Sequence, residues 1–275
     1  MHDDAHSFGP YRFLRELGAA RIGPGAAGAG GGVRRFAAIH ERTQAPHVVY
    51  ALHGRADRLM VRRFLAGMGL ASGVRHGHLL GVEAYALCPR RGRMIVGPYT
   101  GDHGGLLTLD ALLRQKGGRV APGEALRAAW QLLDAAACGH AAGVADGTLD
   151  LHRVQVDPHG RLRIELFGVW RAMSPSAAGA HAEAARADTL ALAGMVHRLV
   201  TGVAPSGAAA SLLVPGVSAA WDAWFDVGLR AIDGYASAAA ALAALPRHAA
   251  GGDASTGVVR ALLGRLRGLG TRRPA

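Results

Sequence analysis

The hydrophobic period of this chain changes once, between Gly97 and Asp102, and that change constrains the fold more than any single motif. Upstream the pattern is mostly that of strands. Tyr11 to Gly18 alternates and ends on a glycine, as a strand entering a loop does, and Gly23 to Gly32 is nearly all Gly and Ala, a flexible loop. Val33 to Ile39 and His47 to Leu52 read as two strands joined by the turn Glu41-Arg42-Thr43-Gln44. Leu79 to Leu87 and Met94 to Val96 read as two more, separated by the polar turn Pro89 to Gly92. One helix interrupts them over Asp57 to Leu70, on the spacing of Leu59, Met60, Arg63, Phe64 and Gly67.

Downstream the spacing is helical. Leu109 to Gln115 predicts a short helix, and Pro122 to Ala142 a long one with Leu126, Ala129, Trp130, Leu133 and Ala137 on one face and Pro122 in the first turn. Val154 to Val156 and Leu162 to Leu166 flank the hairpin turn Asp157-Pro158-His159-Gly160. Asp188 to Leu199, Ala219 to Ile232 and Ser237 to Leu245 are further helices. Strands first and helices afterwards predict an α+β chain of two lobes. The expected organisation is an N-terminal tail over 1–10, a sheet lobe over 11–97 and a helical lobe over 98–247. Residues 248–275 would then be a Gly-rich linker and a basic amphipathic tail carrying Val259, Leu262, Leu263 and Leu266.

Half of the 275 residues are hydrophobic, which excludes a disordered chain and allows a sizeable core. The formal net charge of +11 is almost all scattered arginine. A coding bias toward G and C produces that pattern without a ligand, and contact with nucleic acid or an anionic membrane through a basic surface is a further reading. Cys88 and Cys138 stand alone, without metal-ligand spacing, which suits a reducing compartment. His76, His78, His140, His152 and His159 form no ligand pair on a clear helix, so no metal is expected. The polar start, Met1-His2-Asp3-Asp4, does not read as a signal peptide, and no apolar run reaches the ~20 residues of a membrane span. The expected setting is cytoplasmic, with no transmembrane segment.

The order of elements and several fragments resemble a bacterial eukaryotic-type serine/threonine protein kinase domain over roughly residues 11 to 246. Tyr11-Arg12-Phe13-Leu14-Arg15-Glu16-Leu17-Gly18 is similar to the strand entering that family's Gly-rich loop, and Val49-Tyr50-Ala51-Leu52 to the strand that ends in lysine. Arg75-His76-Gly77-His78-Leu79-Leu80 resembles the segment after the first helix. Gly143-Val144 and Val154 to Arg161 resemble the catalytic loop and its hairpin, and Phe167-Gly168 the end of the DFG motif. Ala187 to Ala193 with Leu199-Val200-Thr201-Gly202 resembles the buried helix of the large lobe, and Tyr235-Ala236-Ser237-Ala238 the final helix. The resemblance implies a small antiparallel-sheet N-lobe and a larger, mainly helical C-lobe.

It also implies where chemistry should sit, and the residues there are the wrong types. Phosphoryl transfer needs a lysine on the phosphates, a glutamate holding it, oxygen ligands for Mg2+ and an aspartate beside the attacking hydroxyl. The only lysine, Lys116, lies far from the Gly-rich start. The resemblance puts His53 at the strand lysine, Gly67 at the helix glutamate and Thr148 at the catalytic aspartate. It puts Asp150 at the loop lysine, Arg153 at the metal-binding asparagine and Leu166 at the metal-binding aspartate. A positioned acid or base is worth ~10²–10⁴ in rate, and a hard cation needs oxygen ligands. No catalytic residue is therefore expected.

Nucleotide, if bound, would meet Gly18, Ala20, Gly23, Ala51 and His53, as ATP without Mg2+. Asp188, Phe167 and Gly168 are expected to be structural. Asp146 and Asp150 read as a solvated loop rather than a relocated base, and Glu165 as pointing away from Leu166. Val169 to Arg186 replaces the activation segment as a mobile loop carrying Ser174 and Ser176, and Gly234 stands where an arginine would pair with a glutamate that is also missing. These substitutions imply a pseudokinase that binds, scaffolds or regulates a protein partner, the alternatives being a residual kinase that binds ATP and phosphorylates weakly and a basic adaptor that docks on nucleic acid or anionic membrane.

Overall fold

The computed structural model describes residues 7–20, 33–52, 57–88, 92–102, 105–173 and 180–246. The first part forms an antiparallel sheet of six strands. In chain order they are β1 (Ser7–Phe8), β2 (Tyr11–Ala20), β3 (Val33–His40), β4 (Pro46–Leu52), β5 (Ala84–Cys88) and β6 (Gly92–Pro98). Their spatial order is β1-β2-β3-β4-β6-β5. Ser7 and Phe8, expected in the tail, pair with Arg12 and Tyr11 as the outermost strand. Helix α1 (Arg58–Gly73) crosses over between β4 and β5, started by Asp57, whose carboxylate accepts from the Met60 N–H at 2.7 Å.

Strand β4 is an apolar run because both of its faces are covered. Val48, Tyr50 and Leu52, together with Val33 and Ile95, pack toward α1 (Phe64, Met68) and toward Leu80, Leu166 and Val169. Val49 and Ala51 face the other way, into a layer with Ala38, Met94 and Val96 that Phe13 and Phe36 cover. The alternation is fixed by pairing: Val33 lies opposite Leu52, Arg35 opposite Tyr50, and Tyr50 opposite Ile95.

The helical part begins with β7 (Leu107–Thr108), α2 (Leu109–Gln115) and α3 (Pro122–Ala141). A 3-10 turn at Leu151–Arg153 leads into the hairpin β8 (Val154–Val156) and β9 (Leu162–Ile164), which extends β7 into a small sheet. Helices α4 (Val169–Met173), α5 (Ala180–Thr201), α6 (Ala210–Leu213), α7 (Ala219–Gly228) and α8 (Ala238–Ala243) complete it. Leu132, Leu133 and Ala136 of α3 and Leu192, Val196 and Leu199 of α5 form the core with Trp221, Trp224 and Phe225 of α7. Lys116 sits at the end of α2 and pairs with Glu124 of α3 at 2.7 Å, while the other Glu124 oxygen accepts from the Ala121 N–H.

Several expectations are corrected by the fold. The buried face of α3 runs through Ala125, Ala129, Leu132, Leu133 and Ala136, so Trp130 is turned outward, 51% exposed, with its ring against His78. Leu79 to Val82 are not strand. Leu79 bridges Ile164 in parallel, and the Leu80 N–H donates to the Ile164 carbonyl at 2.9 Å, tying the two lobes together. Strand β9 stops at Ile164 instead of reaching Leu166, because Leu166 turns the chain in the left-handed region at φ 48°. Residues 169–173 are helical where a loop was expected; Ser174 and Ser176 lie outside the described residues. The basic tail also lies outside them. Among the described residues, no helix is long and apolar enough to cross a membrane.

Candidate functional site

The segments that the resemblance assigns to catalysis converge where the helical lobe meets the sheet. Asp150 caps the 3-10 turn, its Oδ1 accepting from the N–H groups of His152 and Arg153, and this cap aims the Arg153 side chain inward. Arg153 is 1% exposed, and so is Asp146. The guanidinium grips that carboxylate with both terminal nitrogens, Nη2 donating to Oδ2 at 2.7 Å and Nη1 to Oδ1. Nη2 also donates to the carbonyls of Glu165 (3.0 Å) and Leu166 (3.1 Å), and Nη1 to Thr148 Oγ1 (3.2 Å).

Asp146 has no oxygen left over. Its Oδ1 also accepts from the Thr148 hydroxyl at 2.8 Å, and its Oδ2 from the Gly168 N–H at 2.9 Å. Burial pushes its pKa up, but the Arg153 charge and these hydrogen bonds outweigh burial and hold it below the ordinary carboxylate range. A carboxylate this fully engaged is a poor proton acceptor. The solvated loop expected around Asp146 is a buried ion pair instead, because Arg153 supplies the partner that makes burial tolerable.

Asp188 lies beneath this loop, fully buried on α5. Its oxygens accept from the N–H groups of Asp146 (2.8 Å) and Gly147 (2.6 Å), and His140 Nε2 lies 3.0 Å from Oδ2. Burial is the largest influence on its pKa, which lies above the ordinary value despite these bonds. Phe167 enters the helical core, where a Cβ on Gly139 would collide with its ring. Gly168 has φ +73°, and a side chain there would collide with Val144. Leu166 points the opposite way from Phe167, into the cluster beneath the sheet.

Above the loop a second buried network spans the lobes. Glu165, 0% exposed, accepts from Gln155 Nε2 at 2.8 Å and from Arg35 Nη1 of β3 at 3.4 Å; the Thr100 hydroxyl bonds to Gln155 Oε1. Tyr50 of β4 is buried beside Glu165, and burial followed by that charge pushes its phenol pKa well up. Sequence reasoning missed Arg35, Thr100 and Gln155, which match no motif. For Arg35 and Gln155 the signal that could have found them is a polar residue within an apolar strand; Thr100, beyond the end of β6, carries no such signal.

Of the sequence-predicted nucleotide contacts, Gly18 lies in β2 at φ +82° opposite Arg35, and Ala20 is the last paired residue of that strand, opposite Val33. Ala51 faces the outer layer, since the inward positions of β4 are taken by Val48, Tyr50 and Leu52. None of those three carries a charge. Gly23 and His53 lie outside the described residues. Gly67 is buried on the inner face of α1 and offers no side chain toward the sheet. Among the described residues no group of three His, Cys, Asp or Glu side chains could hold a metal ion.

No protein-family model and no curated protein matches the chain. Solved structures do. The kinase domain of Mycobacterium tuberculosis PknI superposes with a TM-score of 0.65 at 20% identity, covering 87% of this chain and 96% of that one. A double mutant of that domain gives 0.66 at 22% identity, over 87% and 96%. The PAN3 pseudokinase of Drosophila melanogaster gives 0.65 at 16% identity, over 82% of this chain and 64% of that one. With its curled antiparallel sheet, its helical lobe and Asp188 anchoring the loop between α3 and β8, the chain has the two-lobed α+β fold of the protein kinases.

Proposed function

We propose that the protein is a pseudokinase: a kinase-fold module that transfers no phosphate and works by binding a protein partner. The observation that carries this reading is the buried Asp146–Arg153 pair. At the positions of the two Mg2+ ligands stand a guanidinium, which has no lone pair to give and is already committed to Asp146, and Leu166, whose side chain is packed in an apolar cluster. These residues do not fit a divalent cation. Thr148, at the place of the catalytic aspartate, donates its proton to Asp146 and accepts none at neutral pH. The inward positions of β4 offer no cation for phosphate.

Two measurements on the whole chain test this. Thermal unfolding with ATP should show no shift that depends on Mg2+, whereas a ligand at about 100 times its Kd adds about 2.7 kcal/mol. Transfer of labelled γ-phosphate to the chain itself or to a general acceptor protein should stay at background. A Mg2+-dependent shift accompanied by transfer would overturn the reading. A shift with ATP alone would be nucleotide binding without catalysis, and the reading would stand.

A further inference from the structure

The outer side of α1 is built unlike a helix face meant for water. Its inner side is Phe64, Gly67, Met68 and Ala71. At 100° per residue the opposite side carries Arg58, Arg62, Leu65, Ala66 and Gly69, flanked by Leu59 and Leu70. Leu59, Leu65 and Leu70 are 54%, 42% and 58% exposed. Exposed leucines scattered singly need no explanation, but three on one side of one helix do.

Two further observations point the same way. A Cβ on Gly69 would meet nothing within 4 Å, so the chain's own packing does not require this glycine, which weakens the helix relative to alanine. Charge is unbalanced as well. No acidic residue occurs between Asp57 and Glu83, and among the described residues Arg58, Arg62, Arg63 and Arg75 make no ion pair. Arg58 stands in the first turn of α1, which holds no acid and where the helix dipole disfavours positive charge, and Arg62 follows one turn on.

We propose that this face docks an acidic amphipathic helix of a protein partner. The partner's carboxylates would pair with Arg58 and Arg62, and its apolar ridge would lie on Ala66 and Gly69 between Leu65 and Leu70. A second copy fits poorly, because two such faces would bring like charges together on a chain of net charge +11. A membrane fits less well than a helix, since the arginines lie in the middle of the face and not at its flanks. The inner side of α1 shares its cluster with Leu166 and Val169, so the docked helix would sit one layer from the substituted site. The proposal deepens the pseudokinase reading by naming the partner's chemistry. It is tested on a different surface, so either can fail alone.

The whole chain is titrated, by fluorescence anisotropy, with a labelled synthetic helical peptide bearing Leu on one face and Glu on the other. The same peptide with Lys for Glu, and phosphatidylserine–phosphatidylcholine vesicles, are run in parallel. The Glu peptide should bind and the Lys peptide should not. Hydrogen exchange should show protection over residues 58–73. Arg58→Glu with Arg62→Glu, Leu65→Glu with Leu70→Glu, and Gly69→Leu should each weaken binding about tenfold or more. Arg42→Glu, on the exposed turn between β3 and β4, should leave it unchanged, and thermal unfolding confirms that each variant is folded. If a charge reversal impairs folding, Arg62→Gln replaces it, with a smaller loss expected. Equal loss from Arg42→Glu, protection elsewhere, vesicle binding without peptide binding, or self-association abolished by the α1 variants would each overturn the proposal.

Discussion

Asp146 and Arg153 are seven residues apart, and neither is tolerable in the interior alone. Two ions taken from water lose several kcal/mol each, and their attraction returns this only with good geometry and every remaining donor engaged. Here Nη1 and Nη2 of the guanidinium reach six acceptors, Nε alone being left without one, and the carboxylate accepts from Thr148 and Gly168 besides. Arg153→Ala should therefore cost about 3–5 kcal/mol in urea unfolding, since it strands a buried carboxylate. The pH dependence has a definite sign. A folded pKa held below the unfolded value of about 3.9 gives stability that is full above that value and lost as pH falls through the folded one. The stability gap between wild type and Asp146→Asn should then be constant from neutral pH down to about 5 and close in acid below about 4. A gap that stays open in strong acid would mean that Asp146 is not the charged partner. Asp188 has the opposite sign: with its pKa raised, by burial first and also by the Asp146 charge, its contribution grows as pH falls, so removing that charge adds a smaller change from Asp188 to the gap between the two proteins.

At the scale of elements, two glycines separate packing from propensity. Gly69 on α1 has open space where a Cβ would go, and Gly139 on α3 has the Phe167 ring. Gly69→Ala should stabilise the protein by about 0.8–1.0 kcal/mol, the helix-propensity difference alone. Gly139→Ala should destabilise it by about 1–3 kcal/mol despite the same gain in propensity, because the ring cannot move without disturbing the core around it. Chemical unfolding of the two variants side by side decides the matter; a stable Gly139→Ala would mean that Phe167 is not fixed against α3. The same position of Phe167 requires Leu166 to face the other core, and it is the left-handed turn at Leu166, worth about 1–2 kcal/mol of backbone strain, that reverses the direction between them.

For the whole molecule, the connection between lobes is the main point. The Leu80 N–H donates to the Ile164 carbonyl and the Ile164 N–H to the His78 carbonyl, and Glu165 joins β3 to β8 through Arg35 and Gln155. A sheet fastened to a helical core by buried bonds should melt with it, so calorimetry should give one transition whose calorimetric and van't Hoff enthalpies agree. Glu165→Ala leaves the buried Gln155 amide without its acceptor and loosens Arg35. It should lower stability by about 1–3 kcal/mol. A variant that melts like the wild type would show that the Glu165 network adds nothing to the joining of the lobes.

The fold was legible in the sequence because hydrophobic period is a local property. Alternation up to Pro98 and helical spacing beyond it follow from which positions must be apolar, and α2 and β8 appear where that spacing puts them. The residue types at Thr148, Arg153 and Leu166 were equally legible, being positions counted along the chain. What those residues do was not. Which face of β4 looks inward is decided by pairing with β3 and β6, and one residue of register sends Ala51 outward and Tyr50 and Leu52 inward. Trp130 is outside because α3 turns its alanines, not its tryptophan, toward α5 and α8. Charge alone cannot tell a solvated loop from a buried pair. Asp146 and Arg153 meet because Asp150 caps a 3-10 turn and Asp188 holds the loop from below, and that geometry belongs to the tertiary structure.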